Sequence, residues 1–174
     1  MNNMNNVIFY PKYKKNAYIF LLLPILISCF ILIYAISYLL INKPPNWYRI
    51  IITIALCLLI IVLFLHDLLI YKTMRYEFKD DGLYLICGKY NDKIDYNDID
   101  GWENKNLTFN PLASTRMPGF SLGDCYYSSE GTVRMYATSG GKDILLIKTK
   151  GIKYGITPEK IDDFILELEK RVKE

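Results

Sequence analysis

Histidine is almost absent from this sequence, and its scarcity excludes several kinds of active site. The 174 residues contain one histidine, His66, which lies inside a long apolar run. Ser–His–Asp triads, Cys–His pairs and zinc sites with several histidines all need a histidine beside other reactive groups. No pattern singles out a pair of carboxylates for acid–base chemistry. We therefore expect a protein that is not an enzyme and that carries no metal and no cofactor.

Closely spaced cysteines, the usual sign of a metal site, are also missing. Cys29 and Cys57 fall in apolar runs, whereas Cys87 and Cys125 lie far apart in the remainder of the chain. No two of them have the short spacing of zinc ligands. The pattern indicates free thiols in a reducing compartment.

The second part of the chain lacks an excess of basic residues. From Lys72 onward 16 Lys and Arg face 17 Asp and Glu, whereas before Lys72 five face one. Nucleic-acid binding needs a concentrated basic face, so we expect no nucleic-acid partner. The overall charge of +3 belongs to the first part, where it can meet anionic lipid headgroups.

Long apolar runs are what the first part has in abundance. Residues 17–41 and 50–71 are both apolar over about 20 positions, enough to cross a hydrocarbon core of about 30 Å. A short segment, 42–47, separates them. The sequence therefore predicts a two-helix transmembrane hairpin over 17–71, which follows a short cytoplasmic tail at 1–16. The lipid bilayer is the first expected partner.

Basic residues flank the outer ends of the two runs more densely than the turn between them. The outer residues are Lys12, Lys14, Lys15, Lys72 and Arg75, and those near the turn are Lys43 and Arg49. Because cytoplasmic flanks carry the excess of Lys and Arg, this bias predicts that both termini face the cytoplasm. The expected location is the cell membrane, with two spans and a cytoplasmic domain at 72–174.

His66 and Asp67 are the other ionisable residues at membrane depth. A charge inside a membrane is costly, so a proton or ion site is one interpretation. The other is a position at the inner headgroups, which a count of about 20 residues from Trp47 favours.

From Met74 onward the pattern changes to the alternation of apolar and charged residues that is typical of half-buried strands. Turn residues such as Asp80, Asp81 and Gly82 separate the segments. The predicted strands are 74–79, 83–87, 93–96, 107–109, 133–137, 144–149 and 152–156. The last two are expected to form a hairpin around Lys150 and Gly151.

One amphipathic helix is predicted at the end of the chain. Thr157 is a candidate N-cap, and Pro158 suits the first helical position. An apolar stripe follows at Ile161, Phe164, Ile165, Leu168 and Val172. Six or seven short strands and this helix predict a mainly-β, α+β domain, in which a small bent sandwich or barrel is capped by the helix.

Several motifs in residues 73–172 resemble the bacterial pleckstrin-homology-like (PH-like) domains. They are Asp81-Gly82-Leu83, Gly88, Lys93-Ile94-x-Tyr96-x-Asp98-Ile99, Arg116-x-Pro118-Gly119, Gly131-x-Val133-x-Met135-Tyr136, Ile144-Leu145-Leu146-Ile147-x-Thr149-x-Gly151 and Tyr154-x-Ile156-Thr157-Pro158-Glu159, with Phe164 in the helix. The resemblance implies a PH-like fold and a binding or scaffolding role. Fold alone does not identify the ligand.

Two groups of residues are candidates for a binding surface. Arg116 and Gly119 lie in a Gly- and Pro-containing loop where a guanidinium can bind a carboxylate or organise the loop. Lys148, Lys150 and Lys153 lie on the last predicted hairpin, which is either a solvated edge or a weak contact with anionic lipid.

Two other motifs do not fit their templates. The stretch 139–142 lacks the flanking Gly and Ser or Thr of a phosphate loop, since Tyr136 and Asp143 stand there. The acidic run 92–100 lacks the Gly and the late Glu of a calcium loop.

Two functions fit these features. One is a membrane-anchored PH-like protein that presents a non-catalytic interaction domain to a protein or peptide partner at the inner leaflet. The alternative is an immunity or regulatory protein that protects against a membrane-active peptide, with the helical hairpin as the recognising part.

The orientation can be tested by cysteine labelling from outside the cell. A cysteine placed at Asn46 should react with an impermeant reagent, because the turn is expected outside. Cysteines placed at Asn5 and Glu174 should not react. Labelling of these two positions, with Asn46 protected, would show the opposite orientation.

Overall fold

The structure, a computed structural model, describes residues 6–13, 15–42, 45–108 and 120–173. Strand β1 (Val7–Phe9) precedes helices α1 (Lys15–Asn42) and α2 (Trp47–Lys72). The following strands are β2 (Arg75–Lys79), β3 (Gly82–Cys87), β4 (Tyr90–Ile94), β5 (Ile99–Lys105), β6 (Ser121–Tyr127), β7 (Gly131–Ala137), β8 (Ile144–Thr149) and β9 (Lys153–Ile156). A 3₁₀ turn (Tyr96–Asp98) precedes β5, and helix α3 (Ile161–Val172) follows β9.

The chain divides into two compact units. Tyr18–Leu69 forms a helical unit, and the residues before Tyr18 join those from Ile70 onward in a second unit, which we call the β domain. The last turn of α2 therefore belongs to the β domain.

Helices α1 and α2 have 28 and 26 residues, which gives each a length of about 40 Å. Both are long and apolar enough to cross a membrane. Most of their large apolar side chains, such as Phe30, Leu40 and Val62, are exposed. The helices predicted at the two apolar runs are confirmed.

The β domain contains two sheets. Strands β1–β2–β3–β4 form an antiparallel sheet in that order, and the second sheet has the order β5–β8–β9–β7–β6. Within the second sheet β7 and β9 run parallel, and the other neighbours are antiparallel. The expected order of two helices, a mainly-β domain and a C-terminal helix is confirmed, but the described residues form nine strands where six or seven were expected.

Helix α3 packs on the first sheet through aromatic contacts. The ring of Phe164 lies 4.8 Å from that of Phe78 and 6.0 Å from that of Tyr76, between ring centroids. These three side chains and Leu168 are fully buried. The second sheet encloses its own apolar cluster, which consists of Leu107, Cys125, Tyr127, Val133, Met135, Ala137, Ile144 and Leu146.

The segment 7–12, which we call the seam segment, ties the two sheets together. Val7 pairs with Phe78 and Phe9 with Tyr76 at the edge of the first sheet. The Lys12 amide donates to the Thr157 carbonyl at 2.8 Å, just after the last strand of the second sheet. The structure therefore differs from the expected separate tail at 1–16, because part of that tail is a strand of the β domain.

This pairing makes the two helices an insertion between adjacent strands. Strand β1 leads into α1, and α2 leads into β2, its antiparallel neighbour. Tyr13 lies where the chain leaves the β domain and enters α1. Its hydroxyl donates to the Met74 carbonyl at 3.2 Å, and its ring contacts that of Tyr71. The two ends of the helical insertion are thus held at one end of the first sheet.

Other differences from the sequence prediction have local causes. Strands β5 and β6 were not predicted, because turn-forming residues interrupt their patterns: Asp100 and Gly101 in β5, and Gly123, at positive φ, in β6. The strand predicted at 107–109 is not formed at Leu107 and Thr108, and Phe109 lies outside the described residues.

Thr157 is not the N-cap of α3, which begins at Ile161 after Lys160. Its buried hydroxyl instead accepts from the Thr138 amide at 2.9 Å, next to the seam segment. The N-cap prediction was wrong because the Thr157 side chain is hydrogen-bonded to Thr138 and not to the start of the helix.

Phe9 and Ile8 provide a matched test of the seam segment. Phe9 contacts the rings of Phe78 and Phe164, whereas the side chain of Ile8 is 47% exposed on the same strand. Because aromatic contacts are each worth about 0.5–1.5 kcal/mol, Phe9→Ala should lower the free energy of unfolding by about 2 kcal/mol. Ile8→Ala should change it by about 0.5 kcal/mol or less.

Phe164→Ala, which empties the centre of the core, should cost about 3–5 kcal/mol. Denaturant unfolding of the full chain in detergent measures all three changes. Equal effects of Phe9→Ala and Ile8→Ala would contradict the docking of Phe9.

Candidate functional site

Strand β4 forms a free edge of the first sheet, with a cavity at each end. Within the described part of the chain it pairs with β3 and with no other strand. A cavity of about 400 Å³, the Arg134 pocket, is lined by Lys89, Tyr90, Asn91, Asp92, Gly123, Asp124, Arg134 and Tyr136. A second of about 240 Å³, the hairpin pocket, is lined by Lys93, Ile94, Asp95, Asp98, Thr149, Gly151, Ile152 and Tyr154. We call this edge and its two pockets the β4 groove.

Arg134 crosses from the second sheet to the first in the larger pocket. Its guanidinium donates to both carboxylate oxygens of Asp124, at 2.7 and 3.2 Å, and to Asp92 at 3.3 Å. The hydroxyl of Tyr136 donates to the other oxygen of Asp92 at 2.9 Å. One arginine and one tyrosine of β7 thus hold an aspartate of β4 and an aspartate of β6.

The register of the strands brings these groups together. Asp124 is directly opposite Arg134 in the β6–β7 pairing. Arg134 and Tyr136 lie two residues apart, so they share one face of β7. This cluster is not among the sites predicted from the sequence. Its signal in the sequence is a charged residue between the apolar Val133 and Met135, but Asp124 becomes its partner through the β6–β7 register, and Asp92 through the approach of the two sheets.

The electrostatics of the pocket favour fixed charges. The hydrogen bond from Arg134 lowers the pKa of Asp124, and burial, together with the hydrogen bond to Asp92, raises the pKa of Tyr136. Both groups therefore keep their ordinary neutral-pH forms more firmly. The arrangement suits recognition of a polar ligand by charge and shape more than proton transfer near neutral pH.

The three lysines predicted from the sequence are each paired with an acid. Lys148 lies 2.6 Å from Glu103, and the ammonium of Lys150 lies 3.1 Å from Asp98. Lys153 donates to Glu130 at 2.8 Å. These acids offset part of the basic patch of the hairpin, since Glu103 and Glu130 are also paired with Lys105. The Thr149–Ile152 turn of the hairpin lines one end of the β4 groove.

Arg116 and Gly119, the other predicted site residues, lie outside the described residues. The phosphate-loop-like stretch forms bends in which the Lys142 amide donates to the Ser139 hydroxyl at 3.2 Å. In α2, His66 Nδ1 lies 3.4 Å from Asp67 Oδ1. In the described ranges no three His, Cys, Asp or Glu side chains are grouped so that they could hold a metal ion.

Comparison with known proteins agrees with the two-sheet architecture. A family model described as "Bacterial PH domain" matches residues 74–172, more than half of the chain. The chain belongs to the bacterial PH domain family. No curated protein and no solved structure matches it. The resemblance seen in the motifs is confirmed, and β2 to α3 make up the matched PH domain, whereas β1 lies before the matched residues.

Glu130 gives the PH domain a testable pH dependence. Its carboxylate is paired with Lys105 and Lys153, which lower its pKa from 4.5 to about 2. A carboxyl group whose pKa is lowered by folding stabilises the folded state at pH values above its pKa in the unfolded chain. This stabilisation is lost as the pH falls through the folded-state pKa. Stability should therefore decrease between pH 4.5 and about 2.

The measurement is thermal unfolding across this range, with Glu130→Gln as the test variant. The substitution should lower stability at neutral pH and flatten the decrease in acid. Glu169→Gln, which alters an exposed helical pair with Lys173, should keep the dependence of the parent. A Glu130→Gln profile that runs parallel to the parent would contradict this role.

Proposed function

We propose that the protein is a membrane-anchored, non-catalytic PH-domain protein that binds a protein or peptide partner at the inner leaflet. The observation that carries the proposal is the insertion of two membrane-length helices between β1 and β2. Because β1 and β2 pair, both ends of the insertion must lie on the same side of a bilayer. Two spans satisfy this requirement, and one span does not.

The charge bias supports the orientation. With both ends on one side, the basic residues before α1 and after α2 act together on that side of the membrane. In the proposal this side is the cytoplasm, so that both termini and the PH domain are cytoplasmic and the protein is a two-span protein of the cell membrane.

The β4 groove supports the binding role. An extended peptide can add as a strand to an exposed sheet edge, with its side chains in neighbouring pockets. The free edge of β4 lies between two cavities that differ in character. Charged groups surround Arg134 in one cavity, whereas the other combines the apolar side chains of Ile94, Ile152 and Tyr154 with charged ones. Anchoring raises the concentration of the domain at the membrane, so weak affinity for a peptide suffices.

The paired lysines argue against lipid binding at the β8–β9 hairpin. Surface ion pairs are weak and exchangeable, but each lysine there already faces a carboxylate. Anionic lipid would have to compete with three acids. Among the described strands only β3 pairs with β4, so the backbone groups on its other side are available to a peptide.

Co-purification from membranes distinguishes the proposed function from its alternative. Full-length Arg134→Ala should lose most of the partner that the parent retains, because the pocket loses the fork that orders Asp92 and Asp124. Reversal of charge at Lys148, Lys150 and Lys153 should retain it. Arg116→Ala tests the loop predicted from the sequence, and thermal unfolding of each variant shows whether it is folded.

The remaining outcomes assign the recognition elsewhere. Loss with the lysine reversals, restored by low salt, would indicate anionic lipid at the hairpin and contradict the peptide proposal. A partner set unchanged by every folded variant would place recognition in the helical hairpin. That result would favour a protective protein against a membrane-active peptide.

A further inference from the structure

The turn between β3 and β4 is fixed to the last turn of α2. A Cβ on Gly88 would lie 3.0 Å from Cγ1 of Ile70, so the turn sits directly against the helix end. The Gly88 amide donates to the Thr73 hydroxyl at 2.6 Å, and the Cys87 thiol donates to the Ile70 carbonyl at 3.5 Å. Gly88 also has a φ of 59°, which favours glycine.

This turn carries an exposed cation and an exposed aromatic ring. The side chain of Tyr90 is 44% exposed, and the ammonium of Lys89 lies 5.5 Å from the centre of its ring. Across the described ranges no ion pair joins Lys89, Lys72 or Lys15 to an acid within 4.0 Å. Glu77, the nearest acid along β2, is already paired with Arg75 and Lys79.

The charged residues of the first sheet therefore differ between the two ends of its strands. The end where β2 begins and β3 ends carries Lys72 and Lys89, since Arg75 pairs with Ile86 and Cys87 with Tyr90. The opposite end carries Asp80, and Asp81 and Asp95 share the single cation of Lys93. The first end thus carries lysines that no acid pairs with among the described residues, whereas the three aspartates of the other end lie beside Lys79 and Lys93.

We infer that the β3–β4 turn is a membrane-contact element, in which Lys89 and Tyr90 bind anionic lipid headgroups beside the end of α2. The inference rests on the proposed anchoring and adds to it a second, non-spanning contact. Lysine and tyrosine suit this layer, because the aliphatic stem and the ring enter the interface while the polar ends stay hydrated. The end with the three aspartates then points away from the anionic surface.

This contact sets the orientation of the β4 groove. Strand β4 starts at Tyr90, so its Arg134 pocket is at the lipid-contacting end and its hairpin pocket is at the other. Headgroup binding by the turn would keep the Arg134 pocket close to the lipid surface.

Tryptophan quenching in vesicles tests the contact. The full chain is reconstituted into phosphatidylcholine vesicles that contain brominated lipid, with or without phosphatidylglycerol. Tyr90→Trp reports on the turn, and Asp81→Trp, at the opposite end of the sheet, is the matched control. Each signal is read as a difference from the parent, which has Trp47 and Trp102.

Tyr90→Trp should be quenched with phosphatidylglycerol present, and Asp81→Trp should not. Each lysine near an anionic surface changes the contact equilibrium by about fivefold, so Lys89→Glu in the Tyr90→Trp chain should abolish most of the quenching. Salt at about 1 M should have the same effect, because the screening length falls to about 3 Å.

Equal quenching of the two tryptophans, or quenching unchanged by phosphatidylglycerol, Lys89→Glu and salt, would overturn the inference. Extraction with alkaline carbonate separates this failure from failure of the proposed function. A chain retained in the membrane without quenching at position 90 is anchored but has no headgroup contact at the turn. A chain released by carbonate is not anchored, and both proposals fall.

Discussion

The pairing of Val7–Phe9 with β2 is the constraint on which the rest of the structure depends. It makes the two long apolar helices an insertion within the β domain, where the chain order alone would place them before it. The last turn of α2 then becomes part of the β domain, the β3–β4 turn rests on it, and Tyr13 packs against Tyr71. The β4 groove begins at this turn, so its place in the β domain depends on the contact between the turn and the end of α2.

Charge pairing decides which surfaces remain available. The hairpin lysines attract attention in the sequence, but Glu103, Asp98 and Glu130 face them in the fold. Arg134 is unremarkable in the sequence, yet it joins β7 to β4 and β6. In a domain with nearly balanced charge, the side chains left for binding are those that no acid pairs with among the described residues, such as Lys89 in the β3–β4 turn.

The two long helices, the terminal helix and strands β2, β3, β7, β8 and β9 could be predicted because each has a clear apolar pattern, and the predicted strand 93–96 overlaps only the end of β4. Strands β5 and β6, and the absence of a strand at residues 107–108, could not be predicted. Glycine and polar residues interrupt the apolar pattern there, so strand pairing determines which residues become strands. Val7-Ile8-Phe9 is too short to be predicted as a strand, and its partner is remote. Thr157 has the right residue type for a cap, but a contact with Thr138 overrode it. The candidate site rests on Asp92, Asp124 and Arg134, which come from three strands, so no local spacing identifies it.

The seam segment also has a consequence for biosynthesis. Phe9 is made 67 positions before Tyr76, the residue with which it pairs. During synthesis β1 has no partner strand until both helices and β2 have been made, and the closure of such a long loop adds an entropic cost that increases only slowly with length. The first sheet therefore gains its β1 edge only after the inserted helices have been synthesised.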